Sequence, residues 1–254
     1  AVKSYEKTLA VKPDFAEAHN NLGLTFQKLG QLDDAVKTYK KALSLSPDNA
    51  EAYSNLGIVF QELGQLDAAV ESYEKALNLK PDFADGHNNL GNALKELNQL
   101  DAAIECYEEA IAIKPDYAEV YYNLGNALRA LGQQDAAVKR FENALAIKPD
   151  YAEAHNILGN TLRELGQLDD AVKQYEKAIA IKPDYAQAHN NLGVSFQEQS
   201  QVDDAVKQYE KAIALKPDYV SAHHHLSVLK KYTASDPHIA QMQSLLSTSN
   251  LSQS

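Results

Sequence analysis

Seven of the chain's 8 prolines fall 34 residues apart: Pro13, Pro47, Pro81, Pro115, Pro149, Pro183 and Pro217. Asp follows each of them, and an aromatic residue follows that Asp everywhere except at Asn49. Two glycine series keep the same period. The first is Gly23, Gly57, Gly91, Gly125, Gly159 and Gly193; the second is Gly30, Gly64, Gly132 and Gly166, with Asn98 and Ser200 at the remaining places. Of the 11 glycines only Gly86 lies outside these series. Self-similarity at this period restricts the fold more than any other feature. Each unit is one supersecondary element that cannot bury its apolar face alone, so neighbouring units must stack.

The unit 16–49 reads as two helices. Helix A is predicted over about Ala16–Leu29, with Ala18, Leu22 and Phe26 on one face, and Gly30 ends it by taking a left-handed conformation. Helix B is predicted from near Asp33, as N-cap, to about Leu45, with Ala35, Val36, Tyr39, Ala42 and Leu43 as its apolar face. Pro47 and Asp48 stop it. Gly23 inside helix A costs up to about 1 kcal/mol in propensity, so its repetition predicts the close approach of a neighbour. The aromatic series Tyr39, Tyr73, Tyr107, Phe141, Tyr175 and Tyr209 is expected to fill the gap between pairs. Six units follow: 16–49, 50–83, 84–117, 118–151, 152–185 and 186–219. Residues 1–15 read as a lone helix B. Residues 220–246 read as C-terminal capping helices, the last opened by Ser235-Asp236-Pro237, and 247–254 as a flexible tail. The start at Ala1, in mid-pattern, predicts a fragment of a longer protein.

The net charge of −11, from 24 basic and 35 acidic residues, opposes binding to nucleic acid or anionic membrane. No apolar run is long enough to span a bilayer, and no signal peptide opens the chain. The single Cys106 permits no intrachain disulfide and fits a reducing, cytoplasmic location.

The pattern Leu22-Gly23…Phe26, Ala35…Tyr39, Ala42 and Pro47 resembles the tetratricopeptide repeat and recurs six times. The family's Trp place departs from it, holding His19, Tyr53, His87, Tyr121, His155, His189 and His223, a relaxation seen in bacterial members. The resemblance implies an all-α fold: a right-handed superhelical solenoid of antiparallel helix pairs with the A helices along its concave side. The Asn-Leu-Gly run of helix A is similar to repeats of O-linked N-acetylglucosamine transferases. Leu229-Lys230-Lys231-Tyr232-Thr233…Asp236-Pro237-His238-Ile239 resembles the junction after the repeats in bacterial sulfotransferases. That second likeness implies a catalytic domain beyond Ser254, for which these repeats would recruit substrate.

Beside the core face of helix A runs a polar stripe that the resemblance places in the groove. One position reads Asn21, Asn55, Asn89, Asn123, Ile157 and Asn191. Three residues on it reads Leu24, Ile58, Asn92, Asn126, Asn160 and Val194, and three further Gln27, Gln61, Lys95, Arg129, Arg163 and Gln197. Amides both donate and accept, so a row of them can pair with the backbone of an extended peptide. Lys95, Arg129 and Arg163 would favour an acidic segment. The expected partner is thus a protein or peptide, held by the asparagines together with these three cations, although Ile157 interrupts the row. The plainer reading is an exposed polar face copied by duplication.

No catalytic residue, metal or cofactor is expected. His223-His224-His225 lie about 100° apart around a helix and cannot converge on one ion. Cys106 has no matching His–Asp constellation, and the paired Asp33-Asp34 and Asp169-Asp170 suit helix N-termini. A third reading is a scaffold that self-associates head to tail through the apolar face of the first helix (Val2, Tyr5, Leu9).

Overall fold

The computed structural model describes residues 1–230 together with His238, Ile239 and Met242. Among these residues there are fourteen named helices and no strand. The helices predicted from the repeat are present with small shifts. The A helices are α2 (Ala16–Lys28), α4 (Ala50–Glu62), α6 (Ala84–Glu96), α8 (Ala118–Ala130), α10 (Ala152–Glu164), α12 (Ala186–Glu198) and α14 (Val220–Leu229). The B helices are α1 (Val2–Val11), α3 (Leu32–Leu45), α5 (Leu66–Leu79), α7 (Leu100–Ile113), α9 (Gln134–Ile147), α11 (Leu168–Ile181) and α13 (Val202–Leu215). The final helix expected from Ser235 to Leu246 and the tail 247–254 fall largely outside the described residues, as does most of the junction likeness.

The chain divides into two compact units, Ala1–Arg140 and Phe141–Ser254. Within each, A helices pack on the B helices that follow (α2 on α3, α4 on α5, α6 on α7; α10 on α11, α12 on α13), and B helices pack on the next A helices (α1 on α2, α3 on α4, α5 on α6, α7 on α8; α11 on α12, α13 on α14). Successive A helices also touch: α2 with α4, α4 with α6 and α6 with α8 in the first unit, α10 with α12 and α12 with α14 in the second. Clefts open instead between successive B helices. One of about 490 Å³ lies among Lys40, Leu43, Tyr53, Phe60, Ser72 and Lys75. Another of about 540 Å³ lies among Leu145, Pro149, His155, Gln174, Lys177 and Ile181. Successive A helices therefore lie closer together than successive B helices, which leave these clefts between them.

The core is built from small residues and rings. Tyr39, Tyr73, Tyr107, Phe141, Tyr175 and Tyr209 are fully buried. The tyrosine rings lie on the mid-helix glycines of their own pairs: a Cβ on Gly57 would come within 2.6 Å of the Tyr73 ring, and one on Gly91 within 2.7 Å of Tyr107. The close approach expected at Gly23 is made by the Tyr39 ring of the neighbouring helix α3, and the aromatic fills the interior of its own pair rather than the gap between pairs. Gly86, outside the repeat series, has a similar reason, since a Cβ there would meet the Phe83 ring at 2.8 Å.

Helix ends follow the chemistry of the turns. Gly30 has a φ of 71°, and Gln31 N–H donates to the Phe26 carbonyl at 2.9 Å, closing the helix with a left-handed residue. Asn98 (59°) and Ser200 (62°) take the same conformation without being glycine. Helix α3 starts one residue earlier than predicted. Gln31 is its N-cap, without a side-chain cap bond, and Asp33 and Asp34 sit in the first turn. There their charge meets the helix dipole, and Asp34 also pairs with Lys37 at 3.5 Å.

The Lys-Pro-Asp-aromatic turn has a local rationale. The ammonium of Lys12, Lys80, Lys114, Lys148, Lys182 and Lys216 stands 4.7, 5.0, 4.3, 4.7, 5.0 and 5.4 Å from the centre of the ring three residues on. At Ser46-Pro47-Asp48-Asn49, where both lysine and ring are missing, the Asn49 side chain caps α4 by accepting from Ala52 N–H at 2.9 Å, and Ser46 Oγ donates to Asp48 at 2.8 Å.

Candidate functional site

The polar stripe of the A helices divides into residues whose side chains make no bond among the described residues and residues held by their neighbours. Asn21, Asn55 and Asn89 are half-buried, on α2, α4 and α6, and their side-chain amides have no partner among the described residues. Asn123 differs. It is buried, and its Nδ2 donates to Oδ1 of the buried Asn88 at 3.0 Å, joining α8 to α6. In the second unit Asn191 donates to the buried Asn156 at 3.0 Å, and His225 Nδ1 lies 3.1 Å from Oδ1 of Asn190. These pairs are all 35 residues apart, so they are rungs between successive A helices. Asn20 occupies an equivalent place, yet its Oδ1 is buried without a partner. Two of the predicted site residues, Asn123 and Asn191, therefore bind the repeats to each other.

The next position on the stripe is governed by the core tyrosines. A buried phenol must find an acceptor. Tyr107 donates to Asn92 Oδ1 and Tyr175 to Asn160 Oδ1, each at 2.8 Å. Where that place holds Leu24, Ile58 or Val194, the phenol reaches one turn further. Tyr39 donates to Gln27 at 3.5 Å, Tyr73 to Gln61 at 3.1 Å and Tyr209 to Gln197 at 2.8 Å. The alternation of Asn with a cation and an apolar residue with Gln thus has a physical cause: one amide per phenol. Asn126 belongs to the repeat whose ring is Phe141, which has no hydroxyl, and its Nδ2 donates to the Tyr122 carbonyl of its own helix at 3.0 Å. Burial is the main cause that raises the Tyr39, Tyr73 and Tyr107 hydroxyls well above the usual range, and it takes Tyr175 and Tyr209 to about 12.

The last-turn position reaches a glutamate of the following A helix. Gln27 donates to Glu62 at 2.8 Å, Gln61 donates to Glu96, and Arg163 pairs with Glu198 at 2.8 Å. Arg163 is thus neutralised by the protein, although its Nε remains buried and unpaired. Arg129 is half-buried and has an interaction of its own. Lys95 is half-buried and makes neither a hydrogen bond nor an ion pair; burial lowers its pKa, with Glu96 opposing.

The histidines at the family's Trp place serve the turns. The rings of His19, His87, His155, His189 and His223 donate from Nε2 to the carbonyl of the proline six residues earlier, at 2.8 to 3.2 Å. Of the three adjacent histidines, His223 points inward and Nε2–H of His238 donates to its Nδ1 at 2.6 Å. His224 is exposed, and His225 joins a rung. No group of three metal-ligating side chains occurs among the described residues. Cys106 is half-buried, and burial, then Glu105, Glu109 and Glu74, push its thiol up to about 11. That is opposite to what a nucleophile needs. No described helix is long and apolar enough to cross a membrane.

Antiparallel helix pairs at a 34-residue period, with the ring of helix B seated on the glycine of helix A, define a helical-repeat protein of the stacked-pair class. Profiles of the tetratricopeptide repeat match residues 14–82, 72–105 and 186–219, and a TPR repeat profile matches 91–128, 125–162 and 159–200. The chain belongs to the tetratricopeptide-repeat family. It is 31% identical to MamA, covering 65% of this chain and 97% of MamA, with a TM-score of 0.61. It is 26% identical to YrrB, described as a TPR protein with an unusual peptide-binding site, covering 73% of this chain and 96% of YrrB, with a TM-score of 0.61. Pseudomonas aeruginosa PilF shares the fold at a TM-score of 0.73, with 22% identity over 84% of this chain and 97% of PilF. No match is found among curated proteins.

Proposed function

We propose that this protein is an interaction module that holds an extended protein segment along the inner face of its A helices. The observation that carries the reading is the row Asn21, Asn55 and Asn89: three half-buried amides, one per repeat, with no partner among the described residues. Each offers a carbonyl and an NH2 group, the complement of a peptide backbone. Successive turns of chain can meet successive amides without any demand on side-chain identity. The peptide-binding site described for YrrB supports a peptide as the ligand class. The rung Asn123–Asn88 serves the reading differently, by tying α6, which presents Asn89, to α8.

The test is a peptide array probed with the full chain and with the double variant Asn55→Ala/Asn89→Ala. Losing two half-buried amides that make no bond among the described residues leaves the core untouched, so thermal unfolding should be nearly unchanged. Binding to the array should fall about tenfold or more, at roughly 1 kcal/mol per lost hydrogen bond. Undiminished binding by a folded double variant would overturn the proposed surface.

A further inference from the structure

We infer that the buried contact between His223 and His238 is an acid-sensitive latch, which holds the segment carrying His238 and Ile239 on α14 at neutral pH and releases it once both imidazoles are charged. The inference is independent of the peptide-holding reading above.

The proton positions follow from the partners. Nε2 of His223 lies 2.8 Å from the Pro217 carbonyl, which only accepts, so that nitrogen carries a proton. In the neutral ring Nδ1 is then an acceptor, and His238 Nε2–H donates to it at 2.6 Å. The ring planes are 7° apart and the ring centres 4.8 Å apart. That separation is nearly the N···N distance plus the two ring radii. The rings therefore meet edge to edge along the hydrogen bond, not face to face. Both side chains are buried.

Such a pair takes one extra proton and no more. A proton on His223 Nδ1 reverses the bond, with His238 Nε2 as the acceptor. A proton on the far nitrogen of His238 leaves the bond as it is. With both rings charged, two N–H groups and two positive charges face each other across 2.6 Å, with no lone pair between them.

The two preceding histidines of the second unit lack this sensitivity. His155 and His189 make the same bond to proline, but their Nδ1 atoms meet Oε1 of Gln174 and Gln208, each at 2.8 Å. An amide presents its oxygen to a charged ring and, turned over, its NH2 group to a neutral one. These glutamines stand 19 residues after their histidines. The same place after His223 holds Met242, which has no amide, and His238 makes the contact instead.

The other charged and titratable groups at this end have partners or face solvent. Glu210 on α13 pairs with Lys230 at 3.2 Å, and Lys216 stands over the Tyr219 ring. On α14, His224 is exposed and His225 bonds Asn190. In sequence, Lys231 and Asp236 lie between α14 and His238. The released state binds one proton more than the docked state, so acid favours release. The docking equilibrium should fall about tenfold per pH unit below the ordinary imidazole value of about 6.5.

Met242 supplies the test, since it is the chain's only methionine and is half-buried in the same segment. In protein labelled with carbon-13 at the methionine methyl, a single NMR signal reports docking. It should lie away from the random-coil position at about pH 7.5 and move to that position between about pH 6.5 and pH 5. His238→Gln should keep the docked signal across the same range, because an amide suits either state of His223. His238→Ala should give the random-coil signal even at about pH 7.5. A signal from the unaltered chain that stays docked at about pH 5, or that is random-coil at about pH 7.5, overturns the latch. So does a His238→Gln variant whose signal moves with pH as that of the unaltered chain does.

Discussion

At the scale of single residues, the repeat is held by contacts that tolerate no extra atom. The Tyr73 ring lies where a Cβ of Gly57 would be, at 2.6 Å. Gly57→Ala should therefore destabilise the protein by about 1–3 kcal/mol through overpacking. Gly64→Ala, at a φ of 71° with no atom within 4 Å of the new Cβ, should cost about 1 kcal/mol through backbone strain alone. Urea unfolding of the two variants separates the causes, and equal losses would contradict the ring-on-glycine account. Cys106 gives a pH-resolved check. With its thiol pushed up to about 11, alkylation in the folded protein should stay slow at pH 9 and accelerate only as pH approaches 11. That the stripe residues share one side of helix A was legible from spacing, because positions three and four apart lie on the same face. The partner of each residue on it was not. Asn89 and Asn123 occupy the same place in consecutive repeats, yet only Asn123 is bonded, to Asn88; 35 residues before Asn89 stands Ser54, and Asn20, 35 residues before Asn55, leaves its Oδ1 unpaired among the described residues.

At the scale of helices and turns, proline and glycine punctuation located the end of α2 and the end of α3 to within a residue, because each acts through its own backbone. Caps were less legible. An Asp before an apolar run reads as an N-cap, but at α3 the role falls to Gln31 without a side-chain bond, and Asp33 contributes charge to the first turn instead. Of the caps described, Asn49 alone bonds through its side chain, to Ala52 N–H. Asn49→Ala should cost about 1 kcal/mol. It should also raise amide exchange in the first turn of α4 more than elsewhere. Uniform exchange in the variant would mean that the cap is not what holds that turn. The lysine-over-ring contact in the other turns explains why Asn49 and the loss of lysine at Ser46 occur together: a side-chain cap stands in for a cation and a ring.

At the scale of the whole chain, the 34-residue period made the family legible, since one weak pattern repeated six times is a strong one. Burial of the tyrosines has a consequence measurable on the entire protein. Seven of the 14 tyrosines (Tyr39, Tyr73, Tyr107, Tyr117, Tyr175, Tyr209 and Tyr219) have hydroxyls raised above the ordinary value, chiefly by burial. A group whose folded pKa is raised keeps its full contribution below the unfolded pKa and loses it as pH rises through the folded one. Stability should hold up to pH of about 10 and then decline steeply toward 12 and beyond. Ultraviolet titration should show these seven tyrosines ionising only above the ordinary phenol range or as the protein unfolds. Ionisation of all seven near pH 10 in the folded protein would contradict the burial described.

The pairing of one phenol with one amide also constrains how such a chain can change over generations. Replacing Asn92 by an aliphatic residue strands the Tyr107 hydroxyl unless glutamine arrives at position 95, and the reverse path is equally blocked. Substitution at the two places must then be coupled, with Phe in place of the tyrosine as the permissive intermediate, and homologous sequences should carry that coupled history as a correlation between sites 12 and 15 residues upstream of each ring.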